Sequence, residues 1–215
     1  MTDARVSLYD LMQVDLPEGR SGDVAVERFE ITEREIAITS MRDGSRGYTP
    51  PGTYTRLTRR HGLWMSDTHA ERRDHLEPLW KARRLSSGFK VLVTGLGLGM
   101  VVRAMILGTD VGHIDVVEID PDVVALVGPY YEKLAAEHGK TLTIHLGDAF
   151  DRKVLFGPND YWDIAWHDIW QDLCLDNLTG MGSLARRYTR FVGWQGFWGK
   201  EFLHRERARQ GVWYR

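Results

Sequence analysis

The chain has 215 residues, so one domain with a small appendage is the starting expectation. Hydrophobic residues make up 43% and the net charge is −2, enough for a sizeable core and no global case for nucleic acid or an anionic membrane. The single cysteine, Cys174, excludes an internal disulfide framework and a cysteine-based zinc cluster, and no metal site is expected.

The opening MTDARVSLYD is polar and unlike a secretory leader, and no apolar run is long enough for a membrane span. The expected location is cytoplasmic, without membrane contact. Residues 1–23 read as a loosely held arm. Between 24 and 66 the stretches VAVERFEIT, REIAITS, GTYTRLT and GLWMSD alternate or are β-branched, separated by the turn signals RDGSRG and PPG. They predict a small antiparallel sheet of three or four strands. Residues 1–66 then form an arm and small β region, and 67–215 a second domain.

Thr68 and Glu71 fit a capping box that opens a helix through HAERRDHLEPLWKARRL, with a bend at Pro78. Strands follow at FKVLVTG, HIDVVEID, LTIHLGD and YWDIAWHD. Helices fill the gaps with MVVRAMILG and PDVVALVGPYYEKLAAEHG. This alternation implies parallel pairing through right-handed crossovers, hence an α/β, doubly wound, Rossmann-like sheet.

The ends of these strands carry the candidate site. VLVTGLGLGM places Gly95, Gly97 and Gly99 directly behind a buried strand. Glycine costs about 0.5–1 kcal/mol against alanine in regular structure, so something there needs bare backbone. At the carboxyl edge of a doubly wound sheet that something is a ligand, close to the free N–H groups of the next helix. Packing of a tight turn is the alternative. Glu118, closing the second strand in VVEIDPD, can accept both hydroxyls of a ribose, whereas Asp120 before Pro121 suits a helix cap. Asp148, closing the third in IHLGDAF, can accept from an adenine amino group or cap a following turn. Asp168 ends the fourth strand, framed by Trp166 and Trp170. It suits a base or an ammonium acceptor, or a structural carboxylate. His167 points to the other face of the strand and reads as a packed surface or core histidine.

In this order GLGLG, VVEIDPD, GDAF and YWDIAWHD resemble the motifs of class I S-adenosylmethionine-dependent methyltransferases. Within that group they look most like the spermidine synthase (polyamine aminopropyltransferase) branch, with its V-E-I-D-P, G-D-A or G-D-G, and Y-D-x-x-x-x-D. The N-terminal β segment and GLWMSDTHAERRDHLEPLW are similar to the small β domain and gate helix of that branch, so the resemblance spans about residues 24 to 178. It implies S-adenosylmethionine as cofactor. The loop Gly95, Leu96, Gly97 and Gly99 would hold the methionine part, Glu118 and Ile119 the ribose, and Asp148 with Ala149 the adenine. Asp168 would be the catalytic base. Met100 fills the last place of a G-x-G-x-x-G reading, which disfavours a dinucleotide site.

Leu98 stands where spermidine synthases carry an aspartate in G-G-G-D-G-G. DIWQDLCLD lacks their D-S-x-D-P run, with Asp172 a distant substitute for its second acid. No N/D-P-P-Y/W or proline-cysteine motif points to a DNA base. The expected activity is methyl transfer to a small-molecule acceptor of unknown identity. Aminopropyl transfer from the decarboxylated cofactor is the alternative in the same fold, with Asp67, Glu71, Asp168 and Asp172 as the acids for a polyamine. A non-catalytic binding protein is the third reading.

After Leu178 the stretch SLARRYTRFVGWQGFWGKEFLHRERARQGVWYR reads as two helices with a glycine-containing break. A truncated sheet of order 3-2-1-4 follows, its fourth strand an edge that the helices cover. Phe191, Trp194, Phe197, Trp198 and Phe202 need burial, so this basic, aromatic tail is expected to pack on the core or form a homodimer contact rather than bind nucleic acid.

Overall fold

A computed structural model describes residues 7–34, 36, 49–60 and 62–212. From Ser7 onward the N-terminal arm is pinned rather than loose. A short helix α1 (Leu8–Leu11) is capped by Ser7, whose Oγ accepts from the Asp10 amide at 3.2 Å. Beyond it Met12, Val14 and Leu16 alternate and are all buried. This period of two inside a polar stretch was the missed signal. The arm ends in strand β1 (Gly19–Ser21), the edge of an antiparallel sheet with β2 (Val24–Ile31), β3 (Gly52–Arg59) and β4 (Gly62–Ser66), in order β1-β2-β3-β4. The buried Asp67 carboxylate ties arm to sheet, accepting from the amides of Val14 at 3.0 Å and Thr55 at 2.7 Å. Beyond Ile31 the chain turns helical, with the Ile36 amide donating to the Thr32 carbonyl at 3.1 Å. The rest of the expected strand REIAITS and the turn RDGSRG lie outside the described residues.

The expected bent helix is two short ones, α2 (His69–Asp74) and α3 (Leu76–Ala82), broken at His75 rather than at Pro78. Pro78 thereby falls in the first turn of α3, where its missing N–H leaves no intrahelical bond unmade. The capping box does not form. Thr68 makes no side-chain cap bond, and Glu71 reaches instead to the Ser66 amide and hydroxyl, both at 3.0 Å.

The second sheet is Rossmann-like. Strands β5 (Lys90–Thr94), β6 (His113–Glu118), β7 (Thr141–Leu146), β8 (Trp162–His167) and β9 (Val192–Phe197) stand in the order β7-β6-β5-β8-β9, and every neighbouring pair is parallel. The intervening helices are α4 (Met100–Gly108), α5 (Pro121–Glu137), α6 (Arg152–Leu155) and α7 (Asn177–Tyr188), and α8 (Lys200–Val212) follows β9. Strand alternation splits the core: Val91 and Val93 face α4 and α5, while Leu92 faces Met181, Leu184 and Tyr188 of α7.

Strand β9 corrects the expected order 3-2-1-4. The sheet has a fifth parallel strand in the tail, so β8 is internal and not an edge. The glycines of VGWQGF, which read as a break, fit the strand because its neighbour comes close. A Cβ on Gly193 would lie 2.9 Å from the Asp163 carbonyl, and one on Gly196 would press on the rings of Trp166 and Trp194. The tail packs on the core: of the aromatics expected to need burial, Phe197 and Trp198 are buried and Phe191 and Trp194 half-buried, and Tyr188 and Leu203 are buried with them. Phe202, however, is 43% exposed, because α8 lays only part of its surface on the body. No helix among the described residues is long and apolar enough to cross a membrane.

Of the two places open to His167, surface and core, the structure gives the core: it is fully buried. Its Nδ1 is 3.0 Å from Thr94 Oγ1 and its Nε2 3.3 Å from Gln195 Oε1. Burial pushes its pKa down to about 3. The unfolded chain therefore takes up this proton near pH 6.5 and the folded chain does not, so stability falls as pH falls below about 6.5. At pH 5 this cost is about 2 kcal/mol at 1.36 kcal/mol per pH unit. In urea unfolding the loss between pH 7 and pH 5 should be smaller by about that amount in His167→Gln, which cannot titrate. Equal losses in the two proteins would rule out the histidine as the source.

Candidate functional site

A cavity of about 610 Å³ opens where the carboxyl ends of β5, β6 and β8 meet the small sheet. That is within the roughly 300–1,000 Å³ usual for small-molecule sites. Of the residues the sequence put forward for the site, Gly95, Gly97, Glu118, Ile119, Asp148, Ala149 and Asp168 line it. Leu96 and Gly99 do not. Leu96 is buried behind the wall, and Gly99 is the left-handed residue that opens α4.

The glycine loop is held from three sides by protein atoms. Gly95 has φ +91°, and a Cβ on it would run into the backbone carbonyl of Asp168. A Cβ on Gly97 would meet the Met65 sulfur, which also accepts from the Leu98 amide at 3.1 Å. Gly99, with φ +70°, packs against the ring of Tyr131, whose hydroxyl donates to the Leu98 carbonyl at 2.7 Å. Leu98 itself is fully buried, which is why no charged residue stands there. Packing thus accounts for all three glycines, and ligand approach is an additional use open to Gly95 and Gly97 alone.

Glu118 is buried at the end of β6. Its Oε2 accepts from the Leu96 amide at 2.7 Å and its Oε1 from the Asp120 amide at 2.9 Å, so the side chain fastens the loop to the strand. Burial raises its pKa, and the backbone amides around it oppose that rise. Asp120 caps α5, accepting from the Asp122 amide at 2.9 Å, and lies 3.1 Å from the Arg59 guanidinium. Arg59 in turn sits over the Trp64 ring at 5.1 Å. Asp148 caps the single turn at Ala149–Asp151, accepting from the Phe150 amide at 2.8 Å. Ala149 is fixed through its carbonyl by the Tyr188 hydroxyl at 2.9 Å.

Asp168 follows β8. Its amide donates to the Thr94 carbonyl at 2.8 Å, and its Oδ2 lies 2.8 Å from His75 Nε2. Trp170 lines the cavity beside it as expected, whereas Trp166 lies beneath, its ring edge-on to His75 at 5.9 Å. Asp172 does not line the cavity; its carbonyl accepts from the Asn177 side chain at 2.7 Å. The sequence reading missed His75, Met65, Trp64, Arg59 and Trp198, all on the wall. Four come from β3, β4 and the α2–α3 junction, and only the fold brings those elements over the glycine loop. Glu71, Glu118, Asp148 and Asp168 outnumber Arg59 and His75 there, an arrangement that favours a cationic ligand.

No family model matches the chain. It is 26% identical over 179 residues to a polyamine aminopropyltransferase of Prochlorococcus marinus (strain MIT 9301), a match covering 81% of this chain and 58% of that one. The chain thus spans 58% of the length of the curated relative it matches. Among solved structures it is similar to the [4+2]-cyclase SpnF, with a TM-score of 0.45 and 19% identity over 60% of this chain and 44% of that one. It is also similar to the N-methyltransferase NodS from Bradyrhizobium japonicum WM9, with a TM-score of 0.44 and 14% identity over 59% of this chain and 66% of that one. NodS in complex with S-adenosyl-l-homocysteine gives a TM-score of 0.41 at 12% identity, over 57% of this chain and 56% of that one.

Proposed function

We propose that this chain is an S-adenosylmethionine-dependent transferase that moves a methyl group to a small-molecule acceptor. The observation that carries the reading is the acidic cavity at the carboxyl edge of the sheet, with Glu118, Asp148 and Asp168 each closing a successive strand toward it. In this reading Gly95 and Gly97 border the methionine part, Glu118 and Ile119 the ribose, and Asp148 with Ala149 the adenine. Leu96 acts from behind by holding Glu118 in place, and Gly99 by opening α4. When bound, the cofactor supplies a carbon activated by a sulfonium. The chain's part is to align the acceptor behind that carbon and to take the acceptor's proton at Asp168. The acidic wall suits the sulfonium's positive charge.

Aminopropyl transfer is the second reading. The identity to a polyamine aminopropyltransferase favours it, as do Glu71 and Asp168 on one wall. The buried Leu98, in place of the aspartate that the resemblance calls for, favours methyl transfer.

Calorimetry with S-adenosylmethionine, S-adenosylhomocysteine, decarboxylated S-adenosylmethionine and methylthioadenosine tests both. Preference for the first two supports methyl transfer, preference for the last two supports aminopropyl transfer, and binding of none overturns the transferase reading. Glu118→Ala should weaken the preferred nucleoside about ten- to a hundredfold, since hydrogen bonds to a charged group contribute roughly 1.5–3 kcal/mol each. A folded variant with unchanged affinity would remove Glu118 from the ribose site.

A further inference from the structure

We propose that His75 is the positioning residue for Asp168, a buried imidazole that fixes the direction of the carboxylate at the cavity wall. The proposal rests on the transferase reading of that cavity for its chemistry, and on geometry alone for the pairing.

The His75 side chain is 3% exposed, at the break between α2 and α3. Its Nδ1 lies 2.8 Å from the backbone carbonyl of Glu71. A carbonyl only accepts, so Nδ1 carries a proton. Its Nε2 lies 2.8 Å from Asp168 Oδ2. Either Nε2 also carries a proton and donates to a carboxylate, or it accepts from a protonated acid. The surroundings choose between these. Burial disfavours a charged ring, but the negative charge of Asp168, the hydrogen bond to it, the Glu71 carbonyl and the Glu71 carboxylate together outweigh burial and raise the pKa of His75. Two rings pack against the imidazole, Trp166 edge-on and Trp198 stacked at 25°. A raised His75 favours the arrangement in which Nε2 carries a proton and donates to Asp168 Oδ2.

A histidine that merely filled space between two tryptophans would need no charged partner, and an apolar side chain of that volume would suit the site as well. The carboxylate that His75 engages is instead at the cavity wall, its side chain 19% exposed. Its backbone is fixed at both ends, by the Thr94 carbonyl and by close packing on Gly95. A charge-assisted bond at Oδ2 then fixes its side chain. In the transfer step, the lone pair of an N–H or O–H acceptor forms a bond to the sulfonium carbon. The C–S bond breaks with its electron pair going to sulfur, and the acceptor's proton passes to Asp168. His75 keeps both of its own protons in that step.

The test is long-range 1H–15N spectroscopy of the imidazoles in the full 215-residue chain without ligand, across pH. His75 is expected to titrate above the ordinary histidine value of about 6.5, with both nitrogens protonated below its midpoint. Above it, the ring should lose the Nε2 proton and keep the Nδ1 proton. Asp168→Asn should bring the midpoint below about 6.5. A wild-type His75 that titrates at or below the ordinary value, or whose Nε2 carries no proton below its midpoint, overturns the pairing without any variant. An unmoved midpoint in folded Asp168→Asn does the same. S-adenosylhomocysteine calorimetry on the same samples separates the two readings. Binding with an ordinary His75 defeats the pairing and leaves the cofactor site standing. A raised His75 without binding leaves the pair and defeats the transferase.

Discussion

A chain ending at Gly182 should be aggregated or unfolded. Residues 183–215 supply half of α7, all of β9 and α8, and β9 runs beside β8 from Trp162↔Val192 to His167↔Phe197. Without it β8 becomes an edge with unpaired backbone groups, beside the otherwise buried rings of Trp162 and Trp166. Leu184, Tyr188, Phe197, Trp198 and Leu203, none more than 7% exposed, leave the core at the same time. Burial of each contributes about 1.5–3 kcal/mol, so their sum rivals the 5–15 kcal/mol by which a domain is typically stable. Loss of the Tyr188 hydroxyl also frees the Ala149 carbonyl at the cavity. Size-exclusion chromatography with a circular-dichroism melt decides the matter. A truncated protein that stays monomeric, melts cooperatively and binds S-adenosylhomocysteine would make the tail an appendage and return its basic residues to the search for a partner.

What the sequence made legible, and what it hid, follows from the range of the interactions involved. Four strands of the Rossmann-like sheet were readable because KVLVT, HIDVVE, TLTIHL and WDIAWH carry their β-branched and apolar signals locally. Glu118, Asp148 and Asp168 were readable because an acid closing such a strand can point to only one edge of the sheet. Strand β9 was not, because Gly193 and Gly196 answer to the Asp163 carbonyl and the Trp166 ring across the sheet, contacts that no local pattern contains. His75 was hidden for the same reason: its partner lies 93 positions away, and its spacing from Glu71 looks like ordinary helix surface. The glycine loop was found for the right feature, bare backbone, while the atoms that press on it came from Met65, Tyr131 and Asp168.

Gly95→Ala should be among the most damaging single substitutions in the chain, and Gly139→Ala shows why. Both glycines have positive φ, +91° and +66°. A Cβ on Gly139 would meet nothing within 4 Å, so that change incurs only the backbone penalty, about 1–2 kcal/mol. A Cβ on Gly95 would also run into the Asp168 carbonyl, and neither side can yield cheaply. The Gly95 amide is bonded to the Val117 carbonyl and the Asp168 amide to the Thr94 carbonyl, both at 2.8 Å. Overpacking against fixed backbone adds about 1–3 kcal/mol or more, giving a total near 4 kcal/mol. For a domain of this size that lowers the melting temperature by about 10 °C. The only other relief is to push Asp168 away, which lengthens its bond to His75 and distorts the cavity wall. Gly95→Ala should therefore melt well below Gly139→Ala and also lose affinity for S-adenosylhomocysteine. If the two variants melt within about 2 °C of each other, the close approach of Asp168 is not the reason that glycine stands at position 95.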